Sequence, residues 1–191
     1  MPKTITDFVA RNRLKITRIV IIVCVIGMLL NGITRTHFQY RNATIFIIGS
    51  ILVILGNLIR SWAAGIVHKG KILAETGPYS LWRHPLYFGS AMIALGFGLL
   101  LNDPFCWAGI ILLFLIVYPS TIKKEENDMR NTHGQHWDDF AQKVGYIIPK
   151  HIDFAKIFDR WSSRQWAKNK EYNSLITSFV VWLVIWILGL L

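Results

Sequence analysis

LYFGSAMIALGFGLLLNDPFCWAGIILLFLIVYPS, residues 86–120, decides the fold. Two apolar runs, 86–101 and 104–120, flank the tripeptide Asn102-Asp103-Pro104, whose residue types favour a turn and a helix start. Each run is roughly 16 residues, or ~24 Å as a helix at 1.5 Å per residue, against a hydrocarbon core of ~30 Å. The stretch therefore predicts a short helical hairpin that crosses with local thinning, or with one end recessed below the headgroups.

Outward from the hairpin the chain stays apolar. Three further runs, at about 16–34, 43–62 and 175–191, complete a set of five. Hydrophobic residues make up 53% of the 191, and the mean hydropathy is +0.39. The expectation is an all-α integral membrane protein forming one domain, 1–191, with about five transmembrane helices. The first run is too long for the core of a signal peptide and lacks a small-residue cleavage site, so it is expected to be retained. Cys24 and Cys106 both fall inside apolar runs, where a free thiol behaves as a small hydrophobe, and predict no disulfide framework.

Charge sets the expected orientation. Lys3, Arg11, Arg13, Lys15 and Arg18 lie before or at the start of the first run; Arg60, at the end of the second run, is followed by Lys69, Lys71 and Arg83 ahead of the third; ten more Lys and Arg fall from Lys123 to Lys170. Only Arg35 and Arg41 lie on the other side. The positive-inside rule then puts the N-terminus and the segments 63–85 and 121–174 in the cytoplasm, in a bacterial inner membrane or an endoplasmic reticulum. The formal charge of +10 is accounted for by loops facing anionic lipid and needs no nucleic acid. Between residues 150 and 172, Phe154, Ile157, Phe158 and Trp161 recur at helical spacing among basic residues. That predicts an amphipathic helix in the headgroup plane, either a lid or a connector.

Residues 77–89, GPYSLWRHPLYFG, are richer in chemistry than a connector requires. Arg83 and His84 supply a fixed charge and a titratable ring, and Pro85 biases His84 toward extended backbone. The constrained polar and aromatic groups suit an anionic or amphipathic ligand at the bilayer edge. His133 and His136 form an HxxH pair that lacks the i, i+4 spacing of a helical zinc motif, and no metal is expected. No Gly-rich loop follows a strand, which argues against a Rossmann-type methyltransferase.

The run resembles the GxYxxxRHPxYxG signature of the isoprenylcysteine carboxyl methyltransferase family and its phospholipid methyltransferase relatives. A second segment, Glu125-Glu126-x-x-Met129 through Gly134, Trp137 and Phe140 to Ile148-Pro149, resembles the family's EExxL…FGxxYxxY…IP pattern. The resemblance covers roughly residues 68–150. It implies transfer of a methyl group from S-adenosylmethionine to a membrane-resident or amphipathic acceptor: an isoprenylcysteine-like carboxylate, a phospholipid amine or another lipid. It also implies cofactor contacts at Lys71, Ile72, Leu73, Ala74, Tyr79, His84, Pro85, Leu86, Tyr87 and Glu125, and catalytic roles for Arg83 and Glu126, the latter equally readable as a structural neighbour of Glu125. His84 and Glu125 are expected to converge because a hairpin returns the chain to the side it left.

One departure bears on the acceptor. Family members that methylate a prenylated cysteine typically carry Arg four residues before the first Glu, and Thr121 stands there. Lys123 and Lys124 lie on other helical faces, and a Lys does not reproduce a bidentate Arg grip. Trp137 and Phe140 replace the paired Tyr residues, keeping packing and losing two hydroxyls. The alternatives are an NADPH-dependent membrane reductase related to sterol reductases, and a non-catalytic lipid-binding membrane protein.

Overall fold

The computed structural model describes residues 5–30, 43–68, 72–146, 149–150, 154–157 and 161–190. Among them every regular element is helical: α1 (Ile5–Arg11), α2 (Arg13–Leu30), α3 (Ala43–Ala64), α4 (Pro85–Leu101), α5 (Pro104–Leu112), α6 (Tyr118–His133), α7 (Gln135–Lys143), α8 (Phe154–Ile157), α9 (Ser163–Lys168) and α10 (Tyr172–Leu190). A 3₁₀ turn at Gly77–Ser80 precedes α4, and a π turn at Leu113–Val117 joins α5 to α6. Among the described residues two helices are long and apolar enough to cross a membrane, Ala43–Ala64 and the continuous run Pro104–His133; Pro85–Leu101 and Tyr172–Leu188 are shorter apolar helices. Of the five expected spans, those at 43–62 and 104–120 thus lie on helices of full spanning length. The first ends its described part at Leu30, and its remainder to residue 34 lies outside the described residues.

The hairpin forms where the tripeptide predicts it. Asp103 is buried and caps α5, its Oδ1 accepting from the backbone N–H groups of Phe105 at 2.8 Å and Cys106 at 3.3 Å. Pro104 opens α5, where its missing N–H costs nothing. Asn102 takes the left-handed conformation, φ 42°, that turns the chain. The π turn sits just ahead of Pro119, whose ring would crowd the carbonyl four residues earlier in a regular helix. There the Tyr118 N–H bonds to Leu113, one residue further back than an α-helix reaches.

Contacts divide the chain into two compact units, with boundaries inside α3, α4, α6 and α10. The first comprises Met1–Val53, Ala94–Glu125 and Phe179–Leu191. Its core joins Val53, Leu100 and Ile185 with Phe46, Phe97 and Trp182 around them. Trp182 Nε1 donates to Ser50 Oγ at 2.9 Å. A Cβ at Gly96 would stand 2.7 Å from the Gly49 carbonyl oxygen, so α3 and α4 meet backbone to backbone. Such small-residue contact drives helix pairing where lipid supplies no hydrophobic effect. Ile21, Ile22, Val23, Val25 and Ile26 of α2 are exposed, an apolar surface that suits lipid and not water.

The second unit comprises Ile54–Ile93 and Glu126–Ser178. Ala63, Ile66 and Tyr79 form one cluster; Trp137, Phe140 and Val144 form another. Gly56 and Gly89 repeat the close approach: a Cβ at Gly56 would stand 2.6 Å from the Gly89 carbonyl oxygen. The expected amphipathic helix of residues 150–172 is interrupted. Trp161 and Ser162 are non-helical, and Ser162 caps α9, its Oγ accepting from the Gln165 N–H at 3.3 Å. The break has a physical cause, because the segment donates to carbonyls at and just beyond the end of α3. Trp161 Nε1 donates to Ser61 O at 3.2 Å, and the Ser162 N–H to Gly65 O at 3.0 Å. Gln165 Nε2 donates to Val67 O at 2.7 Å, and Asn169 Nδ2 to Ala64 O at 2.7 Å. A helix end leaves about four carbonyls without partners, and here later side chains and one backbone N–H supply them.

Candidate active site

The RHP tripeptide is fixed by its own backbone. Trp82 and Gly145 form an isolated parallel bridge, and the Arg83 N–H donates to Gly145 O at 3.0 Å. The His84 carbonyl then accepts from Tyr87 and Phe88, each at 3.1 Å, and Pro85 opens α4. One bridged residue and its backbone hydrogen bond, followed within three residues by a helix start, leave little freedom for the backbone that carries Arg83 and His84. Tyr79 is buried against Ala63 and Ile66, with Leu86 and Ala74 packed on the same cluster. Leu73 packs on the cluster of Trp137, Phe140 and Val144, while Ile72 is exposed. Lys71 lies outside the described residues.

Arg83 and His84 converge on one atom. Glu126 Oε1 accepts from Arg83 Nη1 at 2.9 Å and from His84 Nε2 at 3.0 Å. The hydrogen bond from His84, with the positive charges of His84, Arg83 and Arg130, holds the Glu126 carboxyl below the usual carboxylate range, against the opposing effect of partial burial. The Arg83 guanidinium also lies over the Tyr146 ring, 5.0 Å from its centroid. His84 meets the rings of Tyr87 and Tyr146 edge to face, at 6.1 and 5.5 Å. Burial and then the Glu126 charge raise the Tyr146 hydroxyl above its ordinary pKa, so it stays protonated at neutral pH. Arg83 Nε is buried without a hydrogen-bond partner among the described residues, which leaves one donor of the cluster for an incoming acceptor.

Glu125 has a different partner. Its Oε1 accepts from Arg13 Nη1 at 2.5 Å, so the two neighbouring carboxylates of the EE pair are engaged separately. Thr121 is buried and its Oγ1 donates back to Val117 O at 2.7 Å, which turns the hydroxyl onto its own helix. His136 Nε2 lies 2.6 Å from Glu75 Oε1, a polar contact between α7 and the segment before the 3₁₀ turn. Among the described residues no three His, Cys, Asp or Glu side chains gather as for a metal ion.

Sequence reasoning passed over Tyr146 and Arg13, and over Arg60 of α3, which pairs with Glu171. Tyr146 carried no pattern to mark it, since its partners are Arg83 and His84, some 60 residues earlier. Arg13 was counted only as a charge for orientation. So was Arg60, although a basic residue inside an apolar run is itself a signal of function or pairing.

The pattern describing the isoprenylcysteine carboxyl methyltransferase family matches residues 43–131. The nickel-cobalt-cadmium resistance protein NccN of Alcaligenes xylosoxydans xylosoxydans is 28% identical over 151 residues, 78% of this chain and 70% of that protein. The cobalt-zinc-cadmium resistance protein CzcN of Cupriavidus metallidurans is 26% identical, over 78% of this chain and 69% of its own. The protein-S-isoprenylcysteine O-methyltransferase of Saccharomyces cerevisiae is 33% identical over 126 residues, 59% of this chain and 53% of that enzyme. No solved structure matches. These likenesses favour neither the reductase nor the non-catalytic alternative. Over residues 43–131, with the RHP and EE motifs inside them, the chain is similar to the isoprenylcysteine carboxyl methyltransferase family, and these likenesses support an integral-membrane methyltransferase.

Proposed function

We propose that the protein transfers a methyl group from S-adenosylmethionine to an amphipathic, membrane-resident acceptor that arrives already nucleophilic, such as a carboxylate. The observation that carries this is the junction of Arg83 and His84 on Glu126 Oε1. A carboxylate held ionised by two donors is a weak base, so its service is orientation and not proton removal. An acceptor that needs no deprotonation matches such a site.

The donor set fits a zwitterionic cofactor. Arg83, with its unpartnered Nε, supplies a cationic donor for a carboxylate, and the rings of Tyr87 and Tyr146 supply faces for a positive centre. When bound, S-adenosylmethionine supplies an activated methyl group on a sulfonium. This chain's residues then align the acceptor with it and exclude water. The proposed contact set is Lys71, Ile72, Leu73, Ala74, Tyr79, His84, Pro85, Leu86, Tyr87 and Glu125, with Arg83 and Glu126 orienting the reacting groups. A cytosolic cofactor requires that these segments face the cytoplasm, which the distribution of basic residues supports.

Thr121 argues about the acceptor. With its hydroxyl spent on Val117 O it cannot replace the grip that an Arg there would give a prenylcysteine carboxylate, so weak methylation of N-acetyl-S-farnesylcysteine is expected. Mass spectrometry of the ligand retained by detergent-purified protein tests the cofactor, and S-adenosylhomocysteine or S-adenosylmethionine is the expected species. A nicotinamide nucleotide in its place would overturn the reading.

A further inference from the structure

Arg60 lies on α3 in an otherwise apolar helix, buried enough that its charge requires an account. Its guanidinium grips Glu171 in two places, Nε to Oε1 at 2.6 Å and Nη2 to Oε2 at 3.1 Å. The Glu171 side chain is only 7% exposed, so the pair is shielded from water. A shielded pair of this kind seldom adds net stability over apolar packing and is better explained by what it holds in place.

What it holds is the first turn of α4. Arg60 Nη1 donates to Ser90 Oγ at 2.5 Å, and Ser90 Oγ donates onward to Leu86 O at 2.8 Å. Arg60 Nη1 also reaches Leu86 O directly at 3.5 Å. The hydrogens all run one way, from the guanidinium through the hydroxyl to a carbonyl two residues beyond His84. A second feature agrees. A Cβ on Gly89 would stand 2.7 Å from Arg60 Cγ, so α4 lies directly on the arginine stem. Ser90 and Gly89 together let Arg60 fix both the rotation and the height of the turn that carries His84 and Tyr87.

We propose that Arg60, oriented by Glu171, is a positioning residue of the methyl-transfer site, acting through Ser90 and Leu86 to set His84 against Glu126. The inference rests on the reading of His84 and Tyr87 as cofactor contacts, and it adds a residue to which neither family motif points. A loosened first turn lets the His84 ring swing off Glu126 Oε1, and an ordering cost then falls on the incoming cofactor.

Ser90→Ala is the informative variant, because it cuts the relay and leaves the Arg60–Glu171 pair intact. Ser90→Thr restores the hydroxyl, and Arg60→Lys keeps the charge while losing the fork. Nitrogen-15 NMR of labelled histidine, with the His84 signal assigned by its loss in His84→Gln, reads the ring without any cofactor. The expected result is a displaced His84 signal in Ser90→Ala and Arg60→Lys and a near wild-type signal in Ser90→Thr. In S-adenosylmethionine titrations, Ser90→Ala and Arg60→Lys should weaken binding about five- to tenfold, with Ser90→Thr within about twofold and melting temperatures alike. A His84 signal that does not move in Ser90→Ala, or that moves equally in Ser90→Thr, overturns the inference. If the signal moves as expected while the wild type binds no S-adenosylmethionine, the positioning stands and the cofactor assignment fails.

Discussion

Glu126 Oε1 takes two donors from consecutive residues, and both depend on its charge. Glu126→Gln keeps the shape and removes that charge. Hydrogen bonds to a charged partner are worth about 1.5–3 kcal/mol, so S-adenosylmethionine affinity should fall at least about tenfold in Glu126→Gln and in His84→Ala, measured by calorimetry on purified variants. Unchanged affinity in both would remove the physical basis of the proposed site. The pH dependence has a definite sign. The folded carboxyl of Glu126 titrates below its unfolded value of about 4.3. Its contribution to stability is therefore complete above that value and is lost as pH falls through the lower folded pKa. The difference in melting temperature between wild type and Glu126→Gln should stay level from pH 7 to about pH 5 and shrink in more acidic buffer. A difference that already declines between pH 7 and 6 would show that Glu126 is not held ionised as described.

Among the elements, the α4–α5 hairpin and the α3–α4 contact carry the clearest local logic. Asp103→Ala removes the cap on α5 and should destabilise by about 1 kcal/mol, seen as a lower melting temperature in detergent. Gly56→Leu should cost more, about 1–3 kcal/mol or outright misassembly, since the new side chain meets the Gly89 carbonyl. A Gly56→Leu protein as stable as wild type would refute the close approach. The hairpin was legible because Asn, Asp and Pro each have a local preference that a sequence displays. The candidate site was legible in part: the motif drew the eye to Arg83 and His84, but not to which of the two adjacent glutamates would receive them. That choice depends on the azimuth of α6 after a π turn, and hydrophobic spacing does not encode a one-residue bulge. The interrupted segment after residue 150 was misjudged for a related reason. Periodicity reports an apolar face, whereas Trp161, Gln165 and Asn169 are spent on carbonyls of another helix.

For the molecule as a whole, the basic residues make a statement about sidedness that labelling checks. In a background lacking Cys24 and Cys106, Asn102→Cys at the hairpin tip should react with an impermeant thiol reagent on intact cells. Gln135→Cys at the start of α7 should react only after permeabilisation. The opposite pattern would put the site on the wrong side for a cytosolic methyl donor. A last consequence concerns synthesis. The carbonyls of Ser61, Ala64, Gly65 and Val67, at and just beyond the end of α3, receive donors from residues 161–169, about a hundred positions later in the chain. At ~5–20 residues per second the nascent protein waits roughly 5–20 s between making the acceptors and making their donors. The unit that carries His84 is thus completed only after residues 161–169 have been made, and a ribosome stalled before Trp161 would leave a chain whose helix α3 still lacks these donors.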